Sequence, residues 1–543
     1  MKEKARLLMR IWVAIAFSFG VAVAAPARPI YVDANGTGDY PTIQAAIDAA
    51  VDGDSVILQP GTYTGEGNRD IDFLGKAITV RSTDPNDPNV VTSTIIDCNG
   101  TDADPHRGFI FHHGENTDSV LEGVIITNGF ADKGGGMLCD SSSPTIVKCI
   151  ISDCQTYADR AGGVGGGICC EYSSALINKC IIYENTARAW VNITAFGGLG
   201  GGIFCFKAKP IISECTVKSN HGSGGIHCTS SDARIVRCII RDNRHSGIYI
   251  SEGQATVSIE DCIVENNQFN GIAWWHGGRA TIERCTIRGN SLQGIQCEGS
   301  SVVVSHCLIE GNSFTQGAGV YCRFGQLKLC NCTIVGNCWR PKNSCAGIKC
   351  LEESSCEVRN SIVWGNGPLD REIEIVVYGS DASCVVVSSA IRRGYAGTSV
   401  WSGGRMMWED NNIEDDPCFK APGHWDPNGT PDDISDDFWV AGDYHLKSQC
   451  GRWEPVSQTW AKDDVTSPCI DTGDSMSPLG YEPFPNGGRI NMGAYGGTAE
   501  ASKSYFGEPV CETIIAGDIN GDCKVDFADF LIMAFHWLED KNL

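Results

Sequence analysis

The chain has 543 residues and a formal net charge of −24 at pH 7, with 64 glycines and 28 cysteines. A surface this acidic repels phosphate backbones, which argues against nucleic acid as a partner and suits an extracellular protein that binds cations. The length leaves room for several domains. We expect the protein to be a monomer.

The first 25 residues predict an export signal. An apolar run at positions 11–25 follows a basic start formed by Lys2, Lys4, Arg6 and Arg10. Small residues at Ala22 and Ala24 fit a cleavage site. Because the run is short for a membrane-spanning helix, cleavage is favoured over an uncleaved anchor. We therefore expect residues 1–25 to be removed and the mature protein, without a membrane span, to be secreted or held at the cell surface.

Residues 41–50 predict a short amphipathic helix. Its apolar face contains Ile43, Ala46, Ile47 and Ala50, and Thr42 can cap the first turn. We expect this N-terminal helix to cover the exposed edge of the strand-rich segments that follow it.

Two short motifs then alternate along the chain. The glycines of the first motif, Gly-aliphatic-x-Cys, are Gly136, Gly167, Gly202, Gly225, Gly294, Gly319 and Gly347. Gly247 and Gly271 keep the pattern with Ile250 and Trp274 in the cysteine position. The second motif is Cys-x-aliphatic-x-x-Asn, with Cys180, Cys215, Cys238, Cys262, Cys285, Cys307 and Cys332. Its asparagines are Asn185, Asn220, Asn243, Asn267, Asn290, Asn312 and Asn337.

The length of this repeat predicts the fold. From Gly225 to Gly247 one repeat occupies only 22 residues, which cannot bury an apolar face without stacking on its neighbours. Short β-rich runs separated by turn residues, without a 3.6-residue period, disfavour helical repeats. Propeller blades and leucine-rich repeats have other lengths and patterns. We predict an all-β protein in which residues 28–390 form a right-handed parallel β-helix, with like residues stacked about 4.8 Å apart.

Equivalent residues of successive turns form columns in such a solenoid, and each column has an expected role. Asparagines can bond their own backbone and the asparagine of the next turn, and the glycines are expected to permit a sharp bend. Buried thiols are favoured over disulfides for the column cysteines, since cysteine packs as a small apolar residue. Candidates for disulfides lie outside the columns: Cys338, Cys345, Cys418, Cys450, Cys469, Cys511 and Cys523.

The segment Asp39-Tyr-Pro-Thr-Ile-Gln-Ala-Ala-Ile, followed by Gly53-Asp-Ser-Val-Ile-Leu and Pro60-Gly-Thr-Tyr, resembles the start of pectate-lyase-like β-helix proteins of secreted bacterial type. With the repeats, this resemblance covers roughly residues 30–390 and implies the parallel β-helix fold. The fold alone does not determine which reaction is catalysed. Residues 391–505 are expected to form irregular final turns and loops, with a separate small domain as the alternative. Within them, residues 467–471 and 491–495 resemble closing turns of such proteins.

The tail, residues 510–543, contains an acidic loop with the spacing of a calcium site. Its loop positions 1, 3, 5, 7, 9 and 12 are Asp518, Asn520, Asp522, Lys524, Asp526 and Asp529, with Lys524 offering its backbone carbonyl. Aspartate at position 12 and the lack of a leading helix resemble a dockerin repeat, which implies calcium and a cohesin-like or cell-surface scaffold as partner. The tail departs from that family in two ways: Cys523 replaces the usual glycine, and only one repeat is present. Docking therefore stays open.

The outward positions of the Gly-x-x-Cys strands supply candidates for substrate binding. These candidates are His227, Tyr249, Trp275, Glu298, Tyr321 and Arg323. Aromatic rings stack on the apolar faces of sugars, and polar side chains bond the hydroxyls, so the pattern suits a polysaccharide. The alternative is that aromatic residues simply favour strands. Insertions at 155–164, 186–198 and 338–346 fall at one edge of the solenoid, where they can wall a groove.

The sequence leaves the catalytic residues unknown. Charged candidates that form no recognisable signature are Arg241, Arg244, His245, Glu298 and Arg323. We predict a secreted carbohydrate-active protein, a polysaccharide lyase or a glycoside hydrolase, tethered through its tail. The alternative is a non-catalytic solenoid that binds glycans at the cell surface or has a structural role.

Overall fold

The computed structural model describes residues 27–158, 163–189, 198–312, 318–337, 346–367, 373–430, 436–507, 517–519 and 524–539. The predicted export signal lies outside these residues, as do Asn520 and Asp522 of the predicted calcium loop. Cys338, Cys345, Cys511 and Cys523 also lie outside them. Within the described ranges, no helix is both long and apolar enough to cross a membrane.

The described residues form three long parallel β-sheets, which the chain visits in turn. Sheet 1 contains Ile71–Asp72, Phe109–Phe111, Met137–Asp140, Ile168–Glu171, Ile203–Phe206, Gly224–Thr229, Ser246–Ser251, Ile272–Trp275, Ile295–Glu298, Ala318–Arg323, Ala346–Leu351, Ile375–Tyr378 and Thr398–Trp401. Sheet 2 contains Pro29–Val32, Ser55–Leu58, Thr79–Ser82, Val120–Glu122, Thr145–Val147, Leu176–Asn178, Ile211–Ser213, Arg234–Val236, Thr256–Glu260, Arg279–Glu283, Ser301–Ser305, Gln326–Cys330, Ser355–Arg359, Ser383–Val387 and Arg405–Trp408. Sheet 3 contains Gly61–Tyr63, Thr94–Asp97, Ile125–Thr127, Ile150–Ser152, Ile181–Tyr183, Thr216–Lys218, Ile239–Arg241, Ile263–Glu265, Thr286–Arg288, Leu308–Glu310, Thr333–Val335, Ile362–Trp364 and Ala390–Ile391. This is the predicted parallel β-helix.

Smaller elements decorate the solenoid. A short parallel sheet, called the edge sheet below, contains Phe130–Ala131, Gln155–Ala158 and Thr186–Ala189. Helices span Ile43–Ala49, Pro88–Ser93 and Phe527–Glu539, and a 3-10 turn spans Gly394–Gly397. In the first helix, Thr42 caps Ala45 N–H through its hydroxyl, and Ile43, Ala46 and Ile47 are buried in the solenoid core. Its role as a cover for the exposed edge stays a prediction.

The chain bends at corners where non-glycine residues adopt the left-handed backbone conformation. At the corner between sheets 2 and 3, the residue before each column cysteine has φ between 51° and 54°: Lys148, Lys179, Glu214, Arg237, Asp261, Arg284, His306 and Asn331. L-residues seldom adopt this conformation. The packing of the adjacent turns on either side must therefore hold each corner in place.

The glycines of the Gly-x-x-Cys motif have a different function from the predicted one. None of them is among the described residues with positive φ, so the expectation that they permit the bend is wrong. A Cβ on Gly225 would lie 2.6 Å from Nδ2 of Asn243, and one on Gly319 would lie 2.7 Å from Nδ2 of Asn337. Glycine is needed because the asparagine column approaches the backbone closely.

The asparagines form a continuous hydrogen-bonded ladder, as predicted. Nδ2 of each donates to Oδ1 of the next at 2.8–3.1 Å, through Asn185, Asn220, Asn243, Asn267, Asn290, Asn312, Asn337 and Asn366. The backbone N–H of each also donates to that Oδ1, at 3.0–3.1 Å. Every member is buried. The ladder therefore satisfies the polar groups of the corner between sheets 3 and 1 without water.

Glu374 ends the ladder. Its Oε2 accepts from Nδ2 of Asn366 at 2.7 Å, and its side chain is fully buried. Burial raises the pKa of Glu374 to about 7, although hydrogen bonds from Asn366 and the charge of Arg392 act in the opposite direction. A carboxyl group in an apolar corner favours its protonated form.

We expect Glu374 to make stability fall as pH rises from about 4.5 to 7. The folded-state pKa exceeds the ordinary value of 4.5, so the native state holds more protons than the unfolded state within this window. The shift corresponds to about 3 kcal/mol. Glu374→Gln keeps a hydrogen-bond acceptor without the charge. The difference in unfolding free energy between this variant and wild type should therefore shift in favour of the variant by about that amount between pH 5 and pH 8. Denaturant unfolding at both pH values measures this, with the exposed Glu409→Gln as control. Parallel pH profiles for Glu374→Gln and wild type would contradict the assignment.

The cysteine columns are buried thiols, as predicted. The seven Gly-x-x-Cys cysteines and the eight at the corner between sheets 2 and 3, from Cys149 to Cys332, are free and at most 1 % exposed. Cys180, Cys238 and Cys262 each donate their backbone N–H to the sulfur of the next column cysteine at 3.4 Å. Cys418 and Cys469, two disulfide candidates, are also free thiols.

Residues 419–507 cover the outer face of the last strands of sheet 3, around Leu308, Val335, Ile362 and Ala390. They contain antiparallel strand pairs formed by Phe419–Ala421 with Asp443–Leu446, His424–Asp426 with Phe438–Val440, and Arg452–Glu454 with Thr459–Ala461. Trp439 Nε1 donates to Glu310 at 2.9 Å, and Ala494 N–H donates to Thr333 at 3.0 Å. The segments 467–471 and 491–495 thus contribute to a second apolar core at the side of the solenoid. The regular turns themselves extend beyond residue 390, to Trp408.

Candidate functional site

The outer face of sheet 1 aligns the predicted substrate-binding residues in two columns. Strand pairing places His227 beside Tyr249 in one column. In the other, Trp275 pairs with Glu298, and Glu298 pairs with Arg323. The predicted columns are therefore continuous in space. Tyr321, which pairs with Gln296, belongs to the first column.

A groove of about 710 Å³ lies over the middle of this face. Its lining residues are Asp132, Lys133, Val164, Glu171, Leu199, Phe204, Phe206, His227, Thr229, Tyr249, Ser251, Glu252, Trp275 and His276. His227, Tyr249 and Trp275 thus come together in the groove, whereas Glu298, Tyr321 and Arg323 lie on the following strands. Phe204 and Phe206 also line it, and their aromatic side chains in the same two outward columns are the signal that could have identified them.

The wall of the groove comes from chain segments around the edge sheet. Asp132 and Lys133 follow its first strand, and Lys133, Val164 and Leu199 form a parallel series of β-bridges. Val164 and Leu199 lie at the ends of two predicted insertions. This agrees with the expectation that insertions wall one side. The third insertion, at 338–346, lies almost wholly outside the described residues.

His227 forms part of the groove floor as a buried, neutral side chain. Its Nδ1 lies 2.5 Å from Ser223 Oγ, and its Nε2 lies 2.9 Å from Ser251 Oγ. Burial lowers the pKa of His227 to about 3, with a smaller contribution from the charge of His245. Hydroxyl groups can serve either tautomer of the ring. His227 therefore hydrogen-bonds the Ser251 hydroxyl without adding positive charge to the groove.

Aromatic rings form an apolar strip along the floor. The His227 ring lies 5.5 Å from the Phe204 ring and 4.8 Å from the Tyr249 ring, measured between centroids. Burial, together with the charges of Glu298 and Glu252, raises the pKa of Tyr249. The Tyr249 hydroxyl therefore stays protonated at neutral pH and is able to donate a hydrogen bond.

Most charges in the groove are paired. Lys133 Nζ lies 2.7 Å from Glu171, and Arg107 lies 3.0 Å from Asp132. Glu171 raises the pKa of Lys133 by its hydrogen bond, so this amine is fully charged and unsuited to accept a proton. Among the described residues, no ion-pair partner is found for the exposed Glu252 carboxylate. These groups offer hydrogen-bond partners for hydroxyls rather than a strongly cationic surface.

The later strands of sheet 1 carry charged side chains on their outer face. Arg323 lies 2.7 Å from Glu352 and 3.5 Å from Glu298. The next position of the first column, after Tyr321, is Lys349. Burial lowers the pKa of Lys349. A lysine whose pKa is lowered gives up its proton more readily than an exposed lysine.

The other charged candidates do not converge on the groove. Arg241 ends a strand of sheet 3 and pairs with Asp242 at 2.7 Å. His245 lies in the turn before sheet 1, where its ring stacks on Phe269 at 4.1 Å. Arg244 occupies the same turn.

A family model described as "Right handed beta helix region" matches residues 164–283 and 273–363. This match agrees with the parallel β-helix that the three sheets form. The matched residues contain the floor of the groove from Phe204 to Trp275.

Several solved structures are similar to the chain. A pectate lyase covers 87% of it with 96% of its own chain, at 15% identity and a TM-score of 0.37. The periplasmic alginate epimerase AlgG covers 64% with 78% of its chain, at 13% identity and a TM-score of 0.39. A pectin methylesterase from Aspergillus niger covers 55% with 87% of its chain, at 14% identity and a TM-score of 0.30. No curated protein matches the chain.

The tail brings the two ends of the predicted calcium loop together. Asp529 Oδ1 accepts the Ile519 N–H at 2.6 Å, and Asp529 Oδ2 accepts the Asp526 N–H at 2.7 Å. Asp518 and Asp529 are 4 % and 2 % exposed, whereas Lys524 and Asp526 are exposed. Two carboxylates held out of water at loop positions 1 and 12 suit an oxygen-liganded cation.

Proposed function

We propose that this protein is a carbohydrate-active β-helix whose groove on sheet 1 binds a polysaccharide. The observation that carries the proposal is one groove lined by Phe206, Tyr249 and Trp275 beside hydroxyl and carboxylate groups. Sugar rings present an apolar face and a polar rim, which match an aromatic floor and polar walls.

The charges favour a neutral or weakly charged polymer. Asp132 and Glu171 are paired with Arg107 and Lys133, and Glu252 adds negative charge at the rim. A polymer rich in carboxylates would be repelled unless a cation bridged it to these groups. Neutral hydroxyls, in contrast, are able to donate to the carboxylates directly.

The proposed reaction is either that of a lyase or that of a hydrolase, and the two reactions would use different residues. A hydrolase needs a pair of carboxyl groups, and the carboxyl groups that line the groove are those of Asp132, Glu171 and Glu252. A lyase needs a base and a cation that neutralises the uronate of its polymer, and the candidate base on sheet 1 is Lys349, whose pKa burial lowers. The alternative is a non-catalytic solenoid that binds glycans or acts as a spacer.

A polysaccharide panel tests these proposals. Purified protein is incubated with neutral and acidic polysaccharides, with and without calcium, and the products are assayed for new reducing ends and for unsaturated sugars. New reducing ends without unsaturation, lost in Glu252→Gln, support the hydrolase. Unsaturated products, lost in Lys349→Met, support the lyase. Binding without cleavage of any polymer overturns the enzyme proposal for the panel and leaves the binder, and no binding overturns both.

We further propose that the tail binds calcium and tethers a secreted protein to a cohesin-like or cell-surface scaffold. Support comes from the oxygen ligands Asp518, Asn520, Asp522, Lys524 carbonyl, Asp526 and Asp529. Exposed apolar residues on the helix after the loop, Phe530, Leu531 and Met533, offer a docking face.

Calcium binding by the tail has a direct test. Isothermal titration of the full chain with calcium is expected to show a site that Asp518→Ala abolishes, because the loop then loses its position-1 ligand. The control Asp410→Ala, at an exposed position on the solenoid, should bind as wild type does. Equal calcium uptake by wild type and Asp518→Ala would contradict the assignment.

A further inference from the structure

A second cluster of potential metal-ligand atoms lies near the N-terminal end of sheet 1. Asp72 ends the strand Ile71–Asp72, and His112 and His113 follow the neighbouring strand Phe109–Phe111. Nε2 of each histidine lies 3.1 Å from the same atom, Oδ2 of Asp72. All of these ligand atoms lie within 4.8 Å of one another. Adjacent histidines would usually point apart, yet here both rings converge.

The surroundings hold the carboxylate in this position. The other oxygen of Asp72, Oδ1, accepts the Leu74 N–H at 2.8 Å. The Gln44 side chain brackets the Asp72 backbone, accepting its N–H at 2.9 Å and donating to its carbonyl at 3.1 Å. Oδ2 is thereby directed toward the histidines. Such supporting contacts are typical of metal ligands.

The histidine pair is also anchored. Glu115, which is 2 % exposed, accepts the His113 N–H at 2.9 Å and the Gly75 N–H at 2.8 Å. One buried carboxylate thus ties the backbone of His113 to the turn that follows Asp72. The two imidazole rings meet at 73° with centroids 4.3 Å apart. The site is therefore built by the fold on both of its strands.

We propose that Asp72, His112 and His113 bind a divalent transition-metal ion of the zinc class. Bonds of about 2.0–2.1 Å in a tetrahedral site place ligand atoms roughly 3.3 Å apart, close to the 3.1 Å between Nε2 of each histidine and Oδ2 of Asp72. Two imidazoles and a carboxylate suit zinc, nickel or copper better than calcium, which prefers oxygen. Three protein ligands leave a coordination position open for water or for an oxygen ligand. Both histidines are exposed, so an ion can enter from solvent.

The site is separate from the groove. Along sheet 1, the strand Phe109–Phe111 lies two strand spacings before Ile168–Glu171, the first strand that lines the groove. This corresponds to about 10 Å. Loss of the metal should therefore leave polysaccharide binding intact, which distinguishes failure of this proposal from failure of the proposed function.

Titration of the untagged full chain with Zn²⁺ in excess calcium tests the proposal. Wild type is expected to bind zinc at a site where His112→Ala, His113→Ala and Asp72→Asn each weaken the affinity by more than about 10-fold, since even partners of metal ligands change affinity by about 10- to 100-fold. Co²⁺ should report the same site by its visible absorption.

The control His424→Ala removes an exposed histidine elsewhere and should bind zinc as wild type does. Zinc held by the many thiols would be unaffected by any of these variants, so the comparison isolates the histidine site. Circular dichroism verifies that each variant is folded. Unchanged zinc affinity in His112→Ala or in His113→Ala overturns the proposal.

Discussion

The Asn267→Ala protein is expected to unfold with a free energy about 3–5 kcal/mol below that of wild type. Oδ1 of Asn267 accepts from the backbone N–H and from Nδ2 of Asn243, and Nδ2 of Asn267 donates to Ile240 and Asn290. Alanine removes both groups and leaves buried partners without hydrogen bonds. Each unsatisfied group costs about 1–3 kcal/mol. Equilibrium denaturation by circular dichroism measures the loss.

Gln268→Ala is the matched control for this substitution. Gln268 follows Asn267 in the same turn and its side chain is exposed, while its backbone N–H donates to the Asn243 carbonyl in either variant. Its unfolding free energy should stay within about 0.5 kcal/mol of wild type. A loss for Asn267→Ala no larger than that for Gln268→Ala would show that the ladder does not stabilise the solenoid.

Trp275→Ala is expected to weaken binding of an oligosaccharide that fits the groove by about 10- to 100-fold. The Trp275 ring lines the groove floor, and aromatic residues at the centre of binding sites commonly contribute about 2 kcal/mol or more. Calorimetry or affinity electrophoresis measures the change. The fold should be retained, because the ring faces outward and the inward position belongs to Trp274, which is 1 % exposed.

Trp401→Ala provides the comparison. Trp401 ends sheet 1 in the same outward column as Trp275 and is 62 % exposed, but it lies five strand spacings away. This corresponds to about 24 Å. Its removal should leave binding of a short oligosaccharide unchanged. Equal weakening by the two substitutions would place the sugar along the whole face, and weakening by Trp401→Ala alone would contradict the groove.

The repeating part of the structure could be predicted because each turn contacts only its neighbours. Asn243 and Asn267 occupy equivalent positions in successive repeats, so a regular spacing was enough to stack them and to assign the outward residues of sheet 1. The role of the glycines could not be predicted in this way. The clash between a Cβ on Gly225 and Asn243 depends on the distance between turns, which the sequence pattern does not give.

The parts that cover the solenoid were harder to predict. Phe204 points outward from sheet 1 but is only 4 % exposed, because segments around the edge sheet fold over it. Glu310 occupies a position on sheet 3 where charged residues elsewhere are exposed to solvent, yet Trp439 covers it from a hairpin more than a hundred residues further along the chain. Such contacts follow no repeat. The doublet of His112 and His113 was visible in the sequence, but its partner Asp72 could be recognised only from the strand pairing.

The groove assignment is tested most directly by a crystal structure of the protein with an oligosaccharide from a polymer that it binds. We predict sugar rings stacked over Trp275 and Phe206, with hydroxyls bonded to Glu252 and to the pair of Lys133 and Glu171. An oligosaccharide bound instead on sheet 2, on the hairpins over sheet 3 or at the tail would contradict the assignment.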